Sequence, residues 1–267
     1  YNQSVMTEAT KTTTIGLLGA TGRVGGWVLE MCLDKGYDVL VLARSPDKFQ
    51  KFDHERKATN LAVVEGDATT VDGVRALLEA KKDKKMDAII STLGSPSNDI
   101  LVMKKTAQAL VETLTDNPPQ SPRIIWMTST GINEATDQAK SYSLMGSPSR
   151  WLFGYGVFGL LQFKFLIPYV IGQDLWDDMG FSEDVIRAEP DVLVKTVMVR
   201  PGNMWPVSEH PAFSEKWRKE GGDDLSYTWV EASDPPPGKW ITRRAIAAAL
   251  LELVDNDSYD GTAKSLF

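Results

Sequence analysis

The sequence predicts an α/β fold built on one doubly wound parallel sheet, and three observations predict it. Short aliphatic and β-branched runs alternate with segments of helical periodicity along the chain, which is typical of parallel strands covered by helices. A glycine-rich turn joins the first such run to the first periodic segment. No shift in composition divides this alternation, so one domain is favoured over two.

Five strands and three helices are predicted in the first half of the chain. Val24, Trp27 and Val28 recur at helical spacing, which predicts a helix from residue 23 to about residue 35, and Gly36 ends it. The predicted strands are Thr14–Leu18, Asp38–Ala43, Leu61–Glu65, Ala88–Thr92 and Arg123–Ser129, and the other helices span Val71–Lys81 and Ile100–Leu114.

The second half is less regular. A helix near Asp174–Ala188 and a strand over Leu193–Arg200 form a further unit, and Thr242 is predicted to cap a closing helix. The run Asn203–Lys239 has no clear periodicity. We therefore expect residues 1–13 to form a tail, residues 14–267 to form the domain, and residues 135–175 and 203–240 to cover a substrate.

Charge and cysteine content exclude several classes of protein. Lysines and arginines number 29 against 36 aspartates and glutamates, a net charge of −7 over 267 residues, which argues against general binding to nucleic acid. The lone cysteine, Cys32, excludes an intramolecular disulfide framework and fits the cytoplasm, and with two histidines it argues against structural zinc. We expect a small-molecule substrate and a monomer or homodimer.

The most apolar stretch runs from Trp151 to Gly172. It is about long enough to span a bilayer, which takes ~20 residues. Gln162, Lys164 and Pro168 interrupt it, so a buried helix or a pocket wall is favoured. Contact with a membrane surface is the alternative.

The motif with the clearest chemistry is the glycine turn GATGRVGG at residues 19–26, which follows the first strand and opens the first helix. In that position Gly19 permits the tight turn, Gly22 lets a pyrophosphate approach the backbone, and Gly25 permits close helix–strand packing. The motif predicts dinucleotide binding. Its candidate binding residues are Gly19, Ala20, Thr21, Gly22, Arg23, Val24 and Gly25.

The end of the second strand indicates which dinucleotide is bound. An NAD site usually places Asp or Glu there, to accept a hydrogen bond from the ribose 2′-hydroxyl. This chain has Arg44 and Ser45 instead, which suit a 2′-phosphate, and Arg23 is a candidate for a second cation. The sequence thus predicts NADP(H) as the cofactor, and an ordinary solvated Arg44 is the alternative.

Three further strands end in candidate binding residues. Asp67 and Ala68 follow the third strand, where Asp67 is placed either to reach the adenine or to form a turn before the next helix. Small residues suited to passing beneath a ribose follow the fourth strand, and Thr128 ends the fifth, level with the expected nicotinamide. The residues after the fourth strand are Ser91, Thr92, Leu93 and Gly94.

These motifs together resemble those of the atypical short-chain dehydrogenase/reductases, in particular the NAD(P)H-binding, NmrA-like group that includes flavin and biliverdin reductases. The resemblance rests on GATGRVG, LAR at 42–44, EGDA at 65–68, STLGS at 91–95, MTSTG at 127–131, VMVRPGNM at 197–204 and WITRRAIAAALLELV at 240–254. It implies a single Rossmann-like domain with an irregular C-terminal substrate cover. It also implies that Thr128 and Ser129 flank the nicotinamide or the substrate, with Pro201, Gly202 and Asn203 at the same end.

The chain departs from the wider family in one respect. No tyrosine is followed four residues later by a lysine, the pair that donates the proton in those dehydrogenases. Ser129 and Tyr142 are the remaining candidate donors. The resemblance therefore implies an NADPH-dependent oxidoreductase that reduces an aromatic or conjugated acceptor such as a flavin, quinone or tetrapyrrole, with a non-catalytic NADP(H)-sensing regulator or assembly factor as the alternative.

The sequence leaves two interpretations open for two acidic residues and for several aromatic ones. Asp178 and Glu183 are either functional or on a solvated helix face, and the solvated face is favoured. The aromatic side chains either line an apolar pocket or fill the core; they are Trp151, Phe153, Tyr155, Phe158, Trp205 and Trp229.

Overall fold

A computed structural model shows an eight-stranded sheet with helices on both faces. It describes residues 12–49, 59–81, 85–94, 101–116, 121–130, 132, 172–202, 204, 225–231 and 241–267. The strands are β1 (Thr14–Leu18), β2 (Asp38–Ala43), β3 (Leu61–Glu65), β4 (Ala88–Ser91), β5 (Arg123–Met127), β6 (Thr196–Pro201), β7 (Trp229–Glu231) and β8 (Ala263–Leu266). The helices are α1 (Arg23–Asp34), α2 (Val71–Glu79), α3 (Val102–Thr115), α4 (Gln173–Arg187), α5 (Pro190–Leu193) and α6 (Arg243–Asp255).

The strand order creates the crevice in which open α/β sheets bind ligands. The order is β3-β2-β1-β4-β5-β6-β8-β7, so β1 lies between β2 and β4 and the winding reverses there. Leu18 pairs with Leu42 on one side and with Ser91 on the other. The three strands therefore end at the same edge, where such sheets place their ligands.

Two apolar cores sandwich the sheet. On one face α1 and α6 pack on the strands and on each other, and on the other face α2, α3 and α4 do so. The strands in the middle of the sheet are buried on both faces, which explains why β1 and β2 are aliphatic runs without polar alternation. Loops at the strand ends are thus held by a rigid framework.

The predicted doubly wound parallel sheet is confirmed, with differences in its C-terminal part. The strand expected from Leu193 begins at Thr196, because Pro190 starts the short helix α5. Strands β7 and β8 were not predicted; they have three and four residues, too short to show a period. Residues 229–231, which fall in a segment expected to cover a substrate, pair antiparallel with β8.

The favoured interpretation of Asp178 and Glu183 as a solvated face is wrong, because both side chains are fully buried. The Asp178 carboxylate accepts hydrogen bonds from the backbone N–H groups of Met103 and Lys104, each at 2.8 Å. Leu101, at the start of α3, supplies no side-chain cap. Asp178 therefore caps α3 from a different helix, and a local helical pattern does not reveal such a partner.

Within the described ranges, no helix has the length and apolar content needed to cross a membrane. The apolar stretch singled out in the sequence lies outside the described residues, apart from Gly172.

We expect Asp178→Asn to lower the free energy of unfolding by about 1–3 kcal/mol, because an amide leaves one of the two α3 N–H groups facing another donor. Urea unfolding measures the loss. Asp184→Asn is the matched control on the exposed side of α4, with an expected change below about 0.5 kcal/mol. Equal losses in the two variants would contradict the capping role.

Candidate functional site

The turn between β1 and α1 has the geometry of a diphosphate-binding turn. Gly19 has a φ of 83°, in the left-handed region that favours glycine. The backbone N–H of Gly22 donates to the Gly19 carbonyl at 2.8 Å and closes the turn. Gly22 then serves as the N-cap of α1 without any side chain over the helix end.

Gly25 lets α1 approach the sheet closely. A Cβ atom at this position would lie 2.1 Å from the Gly19 carbonyl oxygen and 2.7 Å from Oγ1 of Thr92. The Thr92 hydroxyl itself donates to the Leu18 carbonyl at 3.1 Å. Thr92, predicted as a binding residue, therefore has its hydroxyl directed into the turn and supports the loop from below.

The N-terminus of α1 is electrostatically suited to an anion. Its first turn contains no acidic residue, and no side chain caps it. Unpaired N–H groups and the helix dipole give such an end a partial positive charge. A phosphate group at this position would be stabilised by backbone groups alone.

One cavity joins three of the predicted strand ends. Its volume is about 240 Å³, and it lies between the glycine turn, the end of β2 and the loop after β3. Its lining contains the predicted residues Gly19, Ala20, Thr21, Arg44, Ser45, Asp67, Ala68 and Leu93, together with Leu42, Ala43, Lys48, Phe49, Gly66, Thr69 and Val102. Sequence reasoning missed Lys48, although a second cation four residues after Arg44 was a readable signal.

Asp67 forms a turn, which is one of its two predicted roles. Its Oδ1 accepts from the backbone N–H of Thr69 at 2.9 Å and from the Thr69 hydroxyl at 2.8 Å, which forms an Asx turn. The N-cap of α2 is Thr70, whose hydroxyl accepts from the Gly73 N–H. Asp67 thus shapes the loop and also lines the cavity.

Arg23 does not belong to the cavity lining. It begins α1 next to Arg243, which begins α6. Burial lowers the pKa of Arg243, and the positive charge of Arg23 lowers it further. The Arg244 guanidinium lies over the ring of Trp27 at 5.3 Å from its centroid, which fixes the start of α6 against α1. Positive charge therefore accumulates where both helices begin.

The end of β5 is held by buried polar contacts. The Thr128 hydroxyl donates to Oε1 of Glu183 at 2.7 Å, and Glu183 pairs with Arg200. Ser129, a predicted proton donor, is partly buried, and its hydroxyl lies 3.4 Å from the Thr130 carbonyl oxygen. Ser129 is therefore the hydroxyl at this strand end that has no strong internal hydrogen bond.

The remaining predicted residues are distributed around these two regions. Ser91 is fully buried, and its hydroxyl has no hydrogen-bond partner among the residues that the structure describes. Gly202 approaches the ring of Phe267 so closely that a Cβ atom would lie 2.2 Å from it. Pro201 ends β6, Val24 is buried in the first turn of α1, and Gly94 has open space around it. Tyr142 and Asn203 lie outside the described residues, as do the aromatic candidates other than Trp229.

The described residues contain no group of three or more His, Cys, Asp or Glu side chains that could hold a metal ion. Trp229 is partly buried and stacks against Tyr259, with 5.6 Å between ring centroids. Trp229 therefore packs at the β7–β8 edge of the sheet, where it lines a separate cavity of about 260 Å³, and it does not line the cavity at the glycine turn.

The glycine turn opens the first helix of a doubly wound sheet and lies beside a cavity at the strand ends. These features together define a nucleotide-binding α/β protein. Residues 19–151 match an NAD(P)H-binding family, and this part of the chain belongs to that family. The resemblance to the atypical short-chain dehydrogenase/reductases is confirmed for this nucleotide-binding part.

A curated relative and several solved structures are similar to the chain. The Bacillus subtilis (strain 168) protein YwnB, which is uncharacterised, is 25% identical over 134 residues. That match covers 50% of this chain and 55% of YwnB, so the chain spans about half the length of the curated relative that it matches.

The solved structures cover nearly the whole chain and support the fold. ChuY, an anaerobilin reductase from Escherichia coli O157:H7, superimposes with a TM-score of 0.61 at 18% identity, over 96% of this chain and 97% of ChuY. A proposed NADH-flavin reductase from Streptococcus pneumoniae TIGR4 gives 0.61 at 14% identity, over 96% and 99%. A short-chain dehydrogenase/reductase from Veillonella parvula DSM 2008 gives 0.64 at 11% identity, over 96% and 94%.

We expect Gly25→Ala to destabilise the protein by more than about 3 kcal/mol, because the new methyl group would collide with the Gly19 backbone, which a packed interior does not accommodate. Thermal unfolding measures this. Gly94→Ala, which meets open space, is the control and should change stability by less than about 1 kcal/mol. A Gly25→Ala protein as stable as the control would show that α1 does not lie this close to the turn.

Proposed function

We propose that the protein is an NADPH-dependent oxidoreductase that transfers hydride to a small aromatic or conjugated acceptor of the flavin, quinone or tetrapyrrole type. The observation that carries the proposal is the single cavity shared by the glycine turn and by Arg44 and Ser45. It combines a diphosphate-binding turn with a basic strand end, which is the pair of features that NADPH requires.

The choice of NADPH over NADH rests on charge. Arg44 and Lys48 both line the cavity at the end of β2, where an NAD site would present a carboxylate. A guanidinium can bind a 2′-phosphate through two charge-assisted hydrogen bonds, and an ammonium adds a point charge. Asp67, which also lines the cavity, is held in its Asx turn, and we propose it for the adenine end.

The bound cofactor would supply a hydride from its nicotinamide ring. The chain's own residues bind and orient it: the N-terminus of α1 takes the diphosphate, and the β4 and β5 ends lie beyond it across the switch point. We propose Thr128, Ser129, Pro201, Gly202 and Asn203 for the reacting end. Ser129 and Tyr142 are the proposed proton donors.

The acceptor class is supported by two of the similar structures. One is an anaerobilin reductase and the other a proposed NADH-flavin reductase, which supports an acceptor of the tetrapyrrole or flavin type. Such acceptors place less demand on a dedicated proton donor than a simple ketone does, which fits the missing tyrosine–lysine pair. We further propose that residues 14–267 form one domain, since strands from β1 to β8 join one sheet.

A non-catalytic NADP(H)-sensing role is the second candidate. It is favoured by the absence of the tyrosine–lysine pair from the sequence and by the Thr128 hydroxyl, which faces Glu183. In this role the cofactor site is kept, and a partner protein responds to the bound redox state. Partner binding that is indifferent to NADP⁺ and NADPH would exclude it.

We expect Arg44→Ala to weaken NADPH binding by about 10–100-fold, because charge-assisted hydrogen bonds to the 2′-phosphate are lost. NADH binding should change by less than about twofold, since it has no phosphate there. Titration calorimetry with each nucleotide measures both. Arg75→Ala, on the exposed face of α2 and paired only with Asp72 among the contacts described, is the matched control. Equal losses for NADPH and NADH would contradict the assignment of Arg44.

Absorbance at 340 nm should fall steadily when the protein is mixed with NADPH and a suitable acceptor from a panel of flavins, quinones and linear tetrapyrroles. Arg44→Ala should raise the KM for NADPH and leave kcat nearly unchanged, because Arg44 contributes uniform binding far from the reacting atoms. Tight NADPH binding without turnover on the whole panel would reject the oxidoreductase and leave the sensor.

A further inference from the structure

The proposed function does not account for the buried charges beneath the end of β5. Glu183 on α4 and Arg200 on β6 are both fully buried, and their side chains face each other. Arg200 donates to Glu183 twice, from Nε to Oε1 at 3.1 Å and from Nη2 to Oε2 at 2.6 Å. A two-point contact of this kind fixes the carboxylate in one orientation.

The fixed carboxylate also contacts Arg187 on the same helix, whose Nη2 lies 3.7 Å from Oε2, and it accepts a hydrogen bond from the end of β5. Oε1 of Glu183 accepts the Thr128 hydroxyl at 2.7 Å, and Thr128 is the first residue after β5. Thr130, two residues further on, is tied to β6 as well. The Thr130 hydroxyl donates to the Arg200 carbonyl at 2.8 Å, and its backbone N–H donates to the Pro201 carbonyl at 3.0 Å. The turn over residues 128–130 is thus braced from α4 and from β6.

Stability alone does not explain such a pair. Desolvating two charges costs several kcal/mol, and well-packed apolar residues of similar volume often serve stability equally well. A carboxylate that is held by a guanidinium can accept a hydrogen bond at one fixed point, which apolar side chains cannot do. Here that point is the hydroxyl of Thr128, immediately before Ser129.

The neighbouring contact on the same helix provides a comparison. Ser182 accepts the indole N–H of Trp126 at 3.0 Å, so α4 is also hydrogen-bonded to β5 one residue earlier in the helix. Trp126 lies within the strand and is fully buried. The Ser182 contact therefore anchors α4, whereas the Glu183 contact reaches the strand end.

We propose that Glu183 is a positioning residue: held by Arg200, it fixes Thr128 and so sets the backbone of the 128–130 turn at the reacting end of the site. The proposal rests on the proposed function for its catalytic consequence. Glu183 acts through Thr128 and does not touch the reactants. Misplacement of a reacting group by about 1 Å can cost ~100-fold in rate, so a rigid turn matters more for turnover than for cofactor affinity.

The test compares Thr128→Val with Thr196→Val. Thr196 is an equally buried threonine at the other end of β6 whose hydroxyl donates to the Val192 carbonyl at 2.8 Å, so both variants lose one buried hydroxyl contact. In Thr128→Val the amides of residues 129–132 should exchange hydrogen about tenfold faster by mass spectrometry, because the contact to a charged acceptor is lost. Thr196→Val should leave them unchanged, and Thr128→Ser should restore protection.

Kinetics and cofactor binding provide a second, independent test of the proposal. We expect kcat of Thr128→Val to fall about tenfold or more while NADPH affinity, measured by fluorescence titration, changes by less than about threefold. Glu183→Gln should give the same split, and Ser182→Ala should not. The double variant Glu183→Gln/Thr128→Val should lose no more kcat than the worse single variant, because the two residues act in series.

Each outcome decides the proposal. Additive losses in the double variant, or a Thr128→Val protein that matches Thr196→Val in exchange and in kcat, would overturn it. If Glu183→Gln does not fold, Thr128→Val, Thr128→Ser and Thr196→Val decide it alone. If the wild-type protein shows no turnover with any acceptor, the proposed function fails, and the exchange comparison still establishes or rejects positioning of the turn.

Discussion

The whole site depends on how closely α1 lies to the end of β1. At Gly25 no side-chain atom separates the helix from the Gly19 carbonyl, and the Thr92 hydroxyl supports that turn from β4. This close approach aims the N-terminus of α1 at the crevice between β1 and β4. Gly19 itself adopts the left-handed region that favours glycine. The cavity wall and the uncapped helix end therefore meet at a turn in which two positions require glycine.

Positive charge is concentrated around this site although the protein is acidic overall. The chain is acidic overall, with a net charge of −7, yet Arg44 and Lys48 face the cavity, and Arg23 and Arg243 begin adjacent helices. Local positive charge against an acidic background favours a small anionic ligand over an extended polyanion.

The sequence predicts best what depends on local patterns. β1, β2 and β3 have the predicted bounds, and Thr242 caps α6 as expected, accepting from the Ala245 N–H at 3.0 Å. These elements are specified by runs of residues or by a single capping side chain. The glycine turn was predictable for the same reason, since its spacing carries its geometry.

What the sequence does not reveal depends on contacts between distant segments. The acids of α4 look like an exposed helix face because Asp178 and Glu183 each have an acidic neighbour, Asp177 and Asp184, and their partners lie on α3, on β6 and at the end of β5. Strands β7 and β8 are too short for a pattern, and β8 becomes a strand because β6 offers it an open edge. Lys48 lies among the helical residues 47–49 after β2, and no motif in the sequence marks the fold of this segment that brings it to the cavity.

The cap that Asp178 places on α3 has a geometric consequence. Val102, the first residue of α3, lines the nucleotide cavity, and Asp178 holds the two residues after it. Five residues further along the same helix, Glu183 holds the end of β5, and at 1.5 Å per residue the two carboxylates are separated by about 7.5 Å along the helix axis. Helix α4 thus sets the distance between the cavity at the glycine turn and the end of β5. A shift at either end would break the hydrogen bonds that α4 makes there, from Asp178 to the first turn of α3 or from Glu183 to Thr128.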